Sequence, residues 1–356
     1  MRRRSVLPPP LIAKLSVLSG RLWHGRADPE LNDVLAELSA LPANLVVHAS
    51  DEIASAASIA GRQPSLHIVA ADGPRWWRPW TRSPRVTGRP ISARVLLNEN
   101  PDYAWFFLFH PSGFIREAAL DSINDPPTSA FFFATLAWRL NDWVGPVRQA
   151  AQRCAERVLH RTSADIAAKA ALYLLDRRLV WSRWTDEANV LDPVFERRDV
   201  IAGLAAHLQE QPTGAVATCL RSASRYPGID EHLPRIAAAA VQPSVRAVAY
   251  QWLIAGKATW LVGFEWAWVD KVYGLRRRLP VLASRNIRAT RSAAEWIRQG
   301  IHDKSPLVRT VAADALVGAR AQVADADALI AVLANDRSSA VRSRADYMMR
   351  HPLSEH

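Results

Sequence analysis

Apolar residues recur at helical spacing along most of the chain, and one pattern of turn, arginine and alanine-rich run returns five times. Each copy starts with a turn containing Asp, Asn, Ser or Pro, followed by a small or β-branched residue, then Arg, then Val and Ala three or four residues apart. The turn residues cap and open a helix, and this spacing places the apolar side chains on one helical face. The copies span 110–120, 141–151, 241–249, 303–313 and 336–345.

The arginines of the five copies define a repeat length. They are Arg116, Arg148, Arg246, Arg309 and Arg342, and successive positions differ by 32, 98, 63 and 33 residues. If the two longer intervals hold three and two repeats, one period of about 32 residues fits throughout, which is within the range of helical-repeat proteins. One helical pair cannot bury its apolar face alone, so successive pairs must stack. We therefore predict an all-α fold, with an alpha-solenoid over residues 96–350 and a less regular N-terminal region over residues 1–95.

The motif from Asp303 to Leu316 resembles the repeats of bacterial HEAT-like proteins, because it has the order D-x-x-x-x-V-R-x-x-A-x-x-A-L. The resemblance covers about residues 96–350, with clear motifs at the five copies and weak ones at 160–235. It implies a solenoid in which the Asp and Arg of adjacent repeats form a structural ladder. The five repeat arginines are therefore expected to be architectural. The motif is specific for a fold and says little about function.

The chain has a net charge of +11 and a pI of about 10.3, and arginine supplies most of the positive charge. Two interpretations stay open: attraction to nucleic acid or another polyanion, or a coding bias toward Arg. The two cysteines, Cys154 and Cys219, are far apart and predict no disulfide framework, which fits a reducing cytoplasm. The basic N-terminus lacks the apolar stretch of a secretory signal.

The longest apolar region, residues 250–269, contains Lys257 and Glu265. These charges argue against a membrane span, so we read the region as two buried helix faces. Most tryptophans are expected to pack between helices, because Trp buries a large area. Those assigned to helical segments are Trp181, Trp184, Trp252, Trp260, Trp266, Trp268 and Trp296.

A basic, tryptophan-rich segment at about residues 72–91 separates the two predicted regions. Residues 1–95 contain 13 Lys and Arg against 7 Asp and Glu, so the N-terminal region is disproportionately basic. Arg and Trp together suit phosphate contact, base stacking or a protein hot spot. The alternative is a connector whose rings cover the first repeat. The candidate binding residues are Arg75, Trp76, Trp77, Arg78, Trp80 and Arg82.

A catalytic alternative rests on a second resemblance. The segment from Trp266 to Asp270 is similar to the W-x-x-x-D arrangement of HEAT-like alkylpurine DNA glycosylases, and the segment from Asn286 to Arg291 faintly resembles their later Arg-bearing part. The resemblance implies that Trp266 and Asp270 lie one helical turn apart and face damaged DNA, with Arg291 beyond them. The Asp270 carboxylate would then stabilise the positive charge that develops on the sugar.

Neither a nucleophile elbow, a phosphate-binding glycine loop nor a zinc-binding H-E-x-x-H motif occurs in the sequence. No cofactor and no metal site are predicted. We expect a non-enzymatic scaffold or adaptor in the cytoplasm that presents a curved surface to a protein partner. Binding of DNA or RNA, and DNA glycosylase activity, are the alternatives; no membrane partner is expected.

Overall fold

The computed structural model describes residues 5–23, 30–59, 93–184, 186–288 and 291–352. Within these ranges the chain forms eighteen α-helices, several short 3-10 helices and one two-stranded antiparallel sheet. The predicted helical class is confirmed for this part of the chain. The solenoid arrangement stays a prediction.

Contacts between Cα atoms divide the chain into two compact units. The first contains residues 1–162 and 183–191, and the second contains residues 163–182 and 192–356. The predicted boundary at residue 95 stays a prediction, because the linker at 72–91 lies outside the described residues.

The described residues of the first unit form eight helices around an aromatic and aliphatic core. Ser129 shows how a polar residue starts one of them: its hydroxyl accepts a hydrogen bond of 3.2 Å from the Phe132 N–H. Phe131 and Phe133 follow at once and are fully buried. The helices are α1 (Pro9–Trp23), α2 (Leu31–Ser39), α3 (Val46–Ile59), α4 (Ala93–Glu99), α5 (Tyr103–Phe107), α6 (Gly113–Ser122), α7 (Ala130–Arg139) and α8 (Gly145–Val158).

The second unit contains the other ten helices and the sheet. A capping box starts the helix Ala293–Ile301, because the Ser292 hydroxyl and the Glu295 carboxylate each accept a backbone N–H from the other residue. The helices are α9 (Ala164–Leu174), α10 (Asp192–Phe195), α11 (Arg198–Glu210), α12 (Val216–Ala223), α13 (Leu233–Ala239), α14 (Pro243–Ala255), α15 (Ala293–Ile301), α16 (Pro306–Ala319), α17 (Ala326–Ala334) and α18 (Ser339–Arg350). Strands β1 (Lys257–Asp270) and β2 (Leu275–Asn286) lie between α14 and α15.

The arginine of every motif copy holds the turn in front of its own helix. In each case one guanidinium nitrogen donates to the carbonyl oxygen six residues earlier, at 2.7 to 2.9 Å. This bond folds the turn back onto the helix and satisfies a carbonyl that the helix cannot. The five donors are Arg116, Arg148, Arg246, Arg309 and Arg342.

Three of these arginines also bind the aspartate of the next copy with two hydrogen bonds each. The pairs are Arg116 with Asp142, Arg246 with Asp303, and Arg309 with Asp336, at 2.6 to 2.9 Å. Each aspartate also accepts the backbone N–H two residues later. The Arg–Asp ladder that the sequence predicts is confirmed at these three steps, and their arginines are structural.

The region after residue 256 contradicts the sequence-based interpretation. Helix α14 ends at Ala255, with Gly256 in the left-handed conformation at φ 64°, and residues 257–286 form a β-hairpin where buried helix faces were expected. Glycine permits that conformation without a Cβ clash. Large side chains then fall on every second residue at Phe264, Trp266 and Trp268, which is the period of a strand. The predicted helical placement of Trp260, Trp266 and Trp268 is therefore wrong.

The hairpin also changes the repeat count. It occupies residues 257–286, and without it the chain from Arg246 to Arg309 has the length of a single repeat. The hairpin therefore accounts for one of the two periods that the sequence interpretation assigned to this interval, and the division of the interval into two helical repeats was wrong. Elsewhere, Trp252 and Trp296 are buried on helices as expected, whereas Trp181 and Trp184 are buried outside any α-helix.

Candidate functional site

The residues that the glycosylase resemblance pointed to do not have the geometry it implies. Trp266 and Asp270 lie four positions apart on β1, a separation of about 13 Å in an extended strand. The Asp270 carboxylate accepts the N–H groups of Val272 and Tyr273, at 2.8 and 3.1 Å, and so shapes the hairpin turn. The Arg291 carbon Cζ lies 5.1 Å from the centre of the Trp296 ring, on which the guanidinium group is stacked. The expected helical-turn pair of Trp266 and Asp270 is therefore absent.

The candidate binding residues of the basic segment cannot be placed. Arg75, Trp76, Trp77, Arg78, Trp80 and Arg82 all lie outside the described residues. Their proposed contact role stays a prediction.

The hairpin brings together a set of aromatic and arginine side chains that the sequence interpretation kept apart. In the register of the two strands, Trp268 is opposite Arg276, Trp266 is opposite Arg278, and Phe264 is opposite Pro280. Directly opposed residues of an antiparallel pair have their side chains on the same face, as do alternate residues of one strand. These six residues form what we call the aromatic–arginine face.

On two of the aromatic rings of this face, the guanidinium group of an arginine is stacked. The Arg276 carbon Cζ lies 3.8 Å from the centre of the Trp268 ring, and that of Arg278 lies 4.1 Å from the centre of Phe264. Both distances are within the range of a cation–π interaction. Trp266 has no described ring contact and exposes 66% of its surface. The face thus combines ordered arginines with an uncovered indole.

The other face anchors the base of the hairpin to the helices. Arg285 donates to both carboxylate oxygens of Asp230, at 2.7 and 2.6 Å, and to the carbonyl oxygen of Ser224 at 2.7 Å. Ala258 is fully buried, and β1 contacts α12 and α14. From residue 278 onward along β2, the exposed residues have even numbers and the more covered ones odd numbers. The aromatic–arginine face carries the even-numbered set, so it faces solvent.

The hairpin carries an excess of positive charge. The hairpin has six basic residues and two acidic ones, Glu265 and Asp270. Arg285 forms an ion pair with Asp230. Within the described residues, Arg276, Arg277 and Arg278 form no ion pair with a carboxylate. Three adjacent arginines therefore remain available to an anionic partner.

Both edges of the hairpin are protected against pairing with another strand. Strand β1 is bulged between Leu261 and Gly263 and between Trp268 and Asp270. Strand β2 contains Pro280, which has no N–H to donate. Bulges and proline are common means of blocking edge pairing. A partner is therefore better accommodated on the face than along an edge.

Two buried thiols and the buried imidazole of His110 are uncharged at neutral pH. Burial raises the pKa of the Cys154 thiol to about 12 and also raises that of Cys219, so both thiols stay protonated at neutral pH. Burial lowers the pKa of His110 to about 4, and its Nδ1 accepts the Ser112 N–H. Among the described residues, no group of three or more His, Cys, Asp or Glu side chains is arranged to hold a metal.

No family model, curated protein or solved structure matches the chain. Within the described ranges, every helix is too short or too polar to cross a membrane.

The aromatic–arginine face, which the sequence analysis missed, did have a signal in the sequence. Its aromatic residues at 264, 266 and 268 and its arginines at 276 and 278 alternate with the period of a strand.

Proposed function

We propose that the chain is a non-enzymatic binding protein in which helical repeats serve as a scaffold and the aromatic–arginine face serves as the recognition surface. The observation that carries the proposal is this face, on which Trp266 and Trp268 expose 66% and 47% of their surface. Arg276 and Arg278 lie beside them and form no ion pair with a carboxylate of the described residues. Exposed large apolar side chains that lie next to one another are typical of interaction sites. Trp and Arg are also the residues that most often dominate binding energy.

The helical part supports a scaffold role within this proposal. Arg116 and Arg246 are almost completely buried and bind Asp142 and Asp303. Their charges are therefore used within the scaffold and are inaccessible to a ligand. The HEAT-like solenoid and cytoplasmic location that the sequence suggested belong to the same proposal.

Two classes of partner fit the face. A protein partner, which the sequence favoured, agrees with two aliphatic residues near the base of the same face, the partly exposed Leu261 and the exposed Leu282. A nucleic acid agrees with the run Arg276–Arg278 and with the net charge of +11. The basic segment containing Arg75 and Arg78 is a second candidate contact for either class.

The proposal is tested with the full chain and a variant in which residues 257–286 are replaced by a short turn. Both are immobilised and exposed to an extract of the cells that make the protein, with and without nuclease treatment. We expect the wild type to retain protein or nucleic acid that the variant does not. A Trp143→Ala chain is the control for a general loss of exposed aromatic surface, because Trp143 is 70% exposed and distant in sequence from the hairpin. Identical retention by wild type and hairpin variant contradicts the proposal.

A further inference from the structure

We infer that the partner of the aromatic–arginine face is a single-stranded nucleic acid. This inference rests on the proposed function and names the ligand of the same surface. Proteins that bind single strands combine aromatic side chains, on which bases stack, with basic groups that follow the backbone. The hairpin supplies both on one exposed face, as the positions of its rings and arginines show.

The spacing of the rings suits an extended strand of nucleotides. Phe264, Trp266 and Trp268 are alternate residues of β1, so successive rings are about 7 Å apart along the strand. Bases in a duplex follow one another at about 3.4 Å and are paired inside the helix. Rings at twice that spacing fit bases that have separated from one another. The exposed indole of Trp266 is the most open stacking position of the three.

Two of the three arginines are placed to contact phosphates next to the stacked bases. Arg276 and Arg278 lie on the same face as the rings, and Arg277 lies between them on the opposite face. A guanidinium group that is stacked on a ring keeps its N–H groups directed away from the ring, where they can donate to phosphate oxygens. Because these three arginines have no carboxylate partner in the described structure, phosphate binding breaks no ion pair.

A protein partner is less well matched to the same features. Strand addition, which would give a peptide its backbone hydrogen bonds, is opposed by the bulges of β1 and by Pro280 in β2. Base stacking needs neither edge. It needs aromatic faces and nearby positive charge, and it is tolerant of sequence because every base has a π face.

The experiment measures fluorescence anisotropy of labelled oligonucleotides with the purified full chain. The probes are a single strand of about 12 nucleotides, within the usual range of site sizes, as DNA and as RNA, and the DNA duplex of the same sequence. We expect the single strands to bind more tightly than the duplex. With two phosphate contacts, from Arg276 and Arg278, affinity should fall on the order of 7-fold between about 50 and 200 mM salt.

Variants then separate stacking from charge. Trp266→Ala should weaken single-strand binding about tenfold, while Trp266→Phe should retain most of the affinity because a ring remains. Replacing Arg276, Arg277 and Arg278 together by Ala should remove most of the salt dependence. The matched controls are Trp143→Ala and Arg337→Ala, which change an exposed Trp and an exposed Arg elsewhere and should bind like the wild type. Arg75→Ala with Arg78→Ala and Arg82→Ala tests the N-terminal segment separately.

Two results would overturn the inference. One is an absence of oligonucleotide binding at about 50 mM salt, where phosphate contacts are strongest. The other is equal binding of duplex and single strand that Trp266→Ala leaves unchanged, which indicates electrostatic attraction alone. If, in addition, nuclease-treated extract still yields proteins that depend on the hairpin, the face binds protein and the proposed function stands. If the hairpin replacement changes nothing in either assay, the proposed function fails as well.

Discussion

The guanidinium group of Arg246 donates two hydrogen bonds of 2.9 Å to the carboxylate of Asp303, although 57 residues separate them in the sequence. The corresponding separations are 26 residues for Arg116 and Asp142 and 27 for Arg309 and Asp336. The hairpin at residues 257–286 accounts for the difference. It is therefore inserted between α14 and α15, and it leaves intact the contact of Arg246 on α14 with Asp303 in the turn after α15.

Removal of the hairpin should leave the helices of the second unit folded. A chain in which a short turn replaces residues 257–286 keeps Arg246, Asp303 and the packing of α14 against α15. Circular dichroism should show retained helical signal and a cooperative thermal transition. We expect some loss of Tm, because the Arg285 contact with Asp230 and the buried Ala258 are lost. A non-cooperative, largely unfolded chain would show that the hairpin is part of the core.

The carboxylate of Asp142 should be among the most sensitive positions of the first unit. It binds Arg116 and Arg139 at 2.8 and 2.7 Å, and side-chain exposure is 1% for Asp142, 4% for Arg116 and 9% for Arg139. Asp142→Ala leaves two buried guanidinium groups without their carboxylate and should cost about 3–5 kcal/mol of unfolding free energy. Chemical denaturation measures this change.

The matched control for that experiment is Asp121→Ala. Asp121 also pairs with an arginine, Arg153 at 2.9 Å, but about half of each side chain is exposed. Solvent-exposed pairs contribute about 0–1 kcal/mol. Equal destabilisation by both substitutions would contradict the importance assigned to burial of the ladder.

Two glycines of the C-terminal helices should respond to alanine with opposite signs. A Cβ at Gly300 would lie 2.9 Å from the Cβ of Ala312, where α15 packs on α16, and 3.4 Å from the Tyr250 ring. Gly300→Ala should therefore lower Tm. Gly318 lies within α16 with no atom within 4 Å of an added Cβ. Gly318→Ala should stabilise by about 0.5–1 kcal/mol, and the opposite order of Tm values would refute this packing.

Acid should weaken the ladder through Asp336. The hydrogen bond from Arg309 holds the pKa of its carboxyl below the usual value. A lowered folded-state pKa adds stability that is complete above the unfolded-state pKa of about 3.9 and is lost as the pH falls through the folded-state pKa. Asp336→Asn should therefore lower Tm at pH 7, with a difference from wild type that shrinks below about pH 4. A difference independent of pH would exclude this linkage.

The Asp142 carboxyl should contribute to the same acid transition. Burial of Asp142 opposes its ionisation, but hydrogen bonding to Arg116 and the charge of Arg139 outweigh burial, and its pKa is also lowered. The loss of stability on acidification should therefore continue in Asp336→Asn, with a shallower dependence on pH than in the wild type.

The residues of the ladder could be identified from sequence because each turn and its arginine form a local motif. Aspartate at the turn and arginine six residues later recur in the copies at 142, 303 and 336, and the same six-residue reach appears as a hydrogen bond in the structure. The partner aspartate lies one period further along the chain. Its pairing with the arginine was an expectation that came from the resemblance to HEAT-like repeats, which implies such a ladder between adjacent repeats.

The hairpin could not be predicted in the same way. Residues from Trp252 to Val269 are apolar enough for either a buried helix or a strand, and length and hydrophobicity alone do not decide between them. The decisive interaction is the pairing of β1 with β2, which depends on the turn formed by Asp270 and by Gly274 at φ 67°. The interval between the repeat arginines concealed the insertion, because the segment 257–286 is nearly as long as one period.

The anchored base of the hairpin also bears on how quickly the second unit can fold. The Ile287 N–H donates to the Gly256 carbonyl oxygen at 3.0 Å, so the two ends of the insertion lie side by side. Once the hairpin has closed, the loop that must be closed to bring Arg246 to Asp303 is effectively as short as in an uninterrupted repeat. Loop-closure entropy grows with the number of free residues, and contacts that close locally favour rapid folding. If the hairpin forms early, Arg246 and Asp303 can therefore meet about as quickly as a pair without the insertion between them.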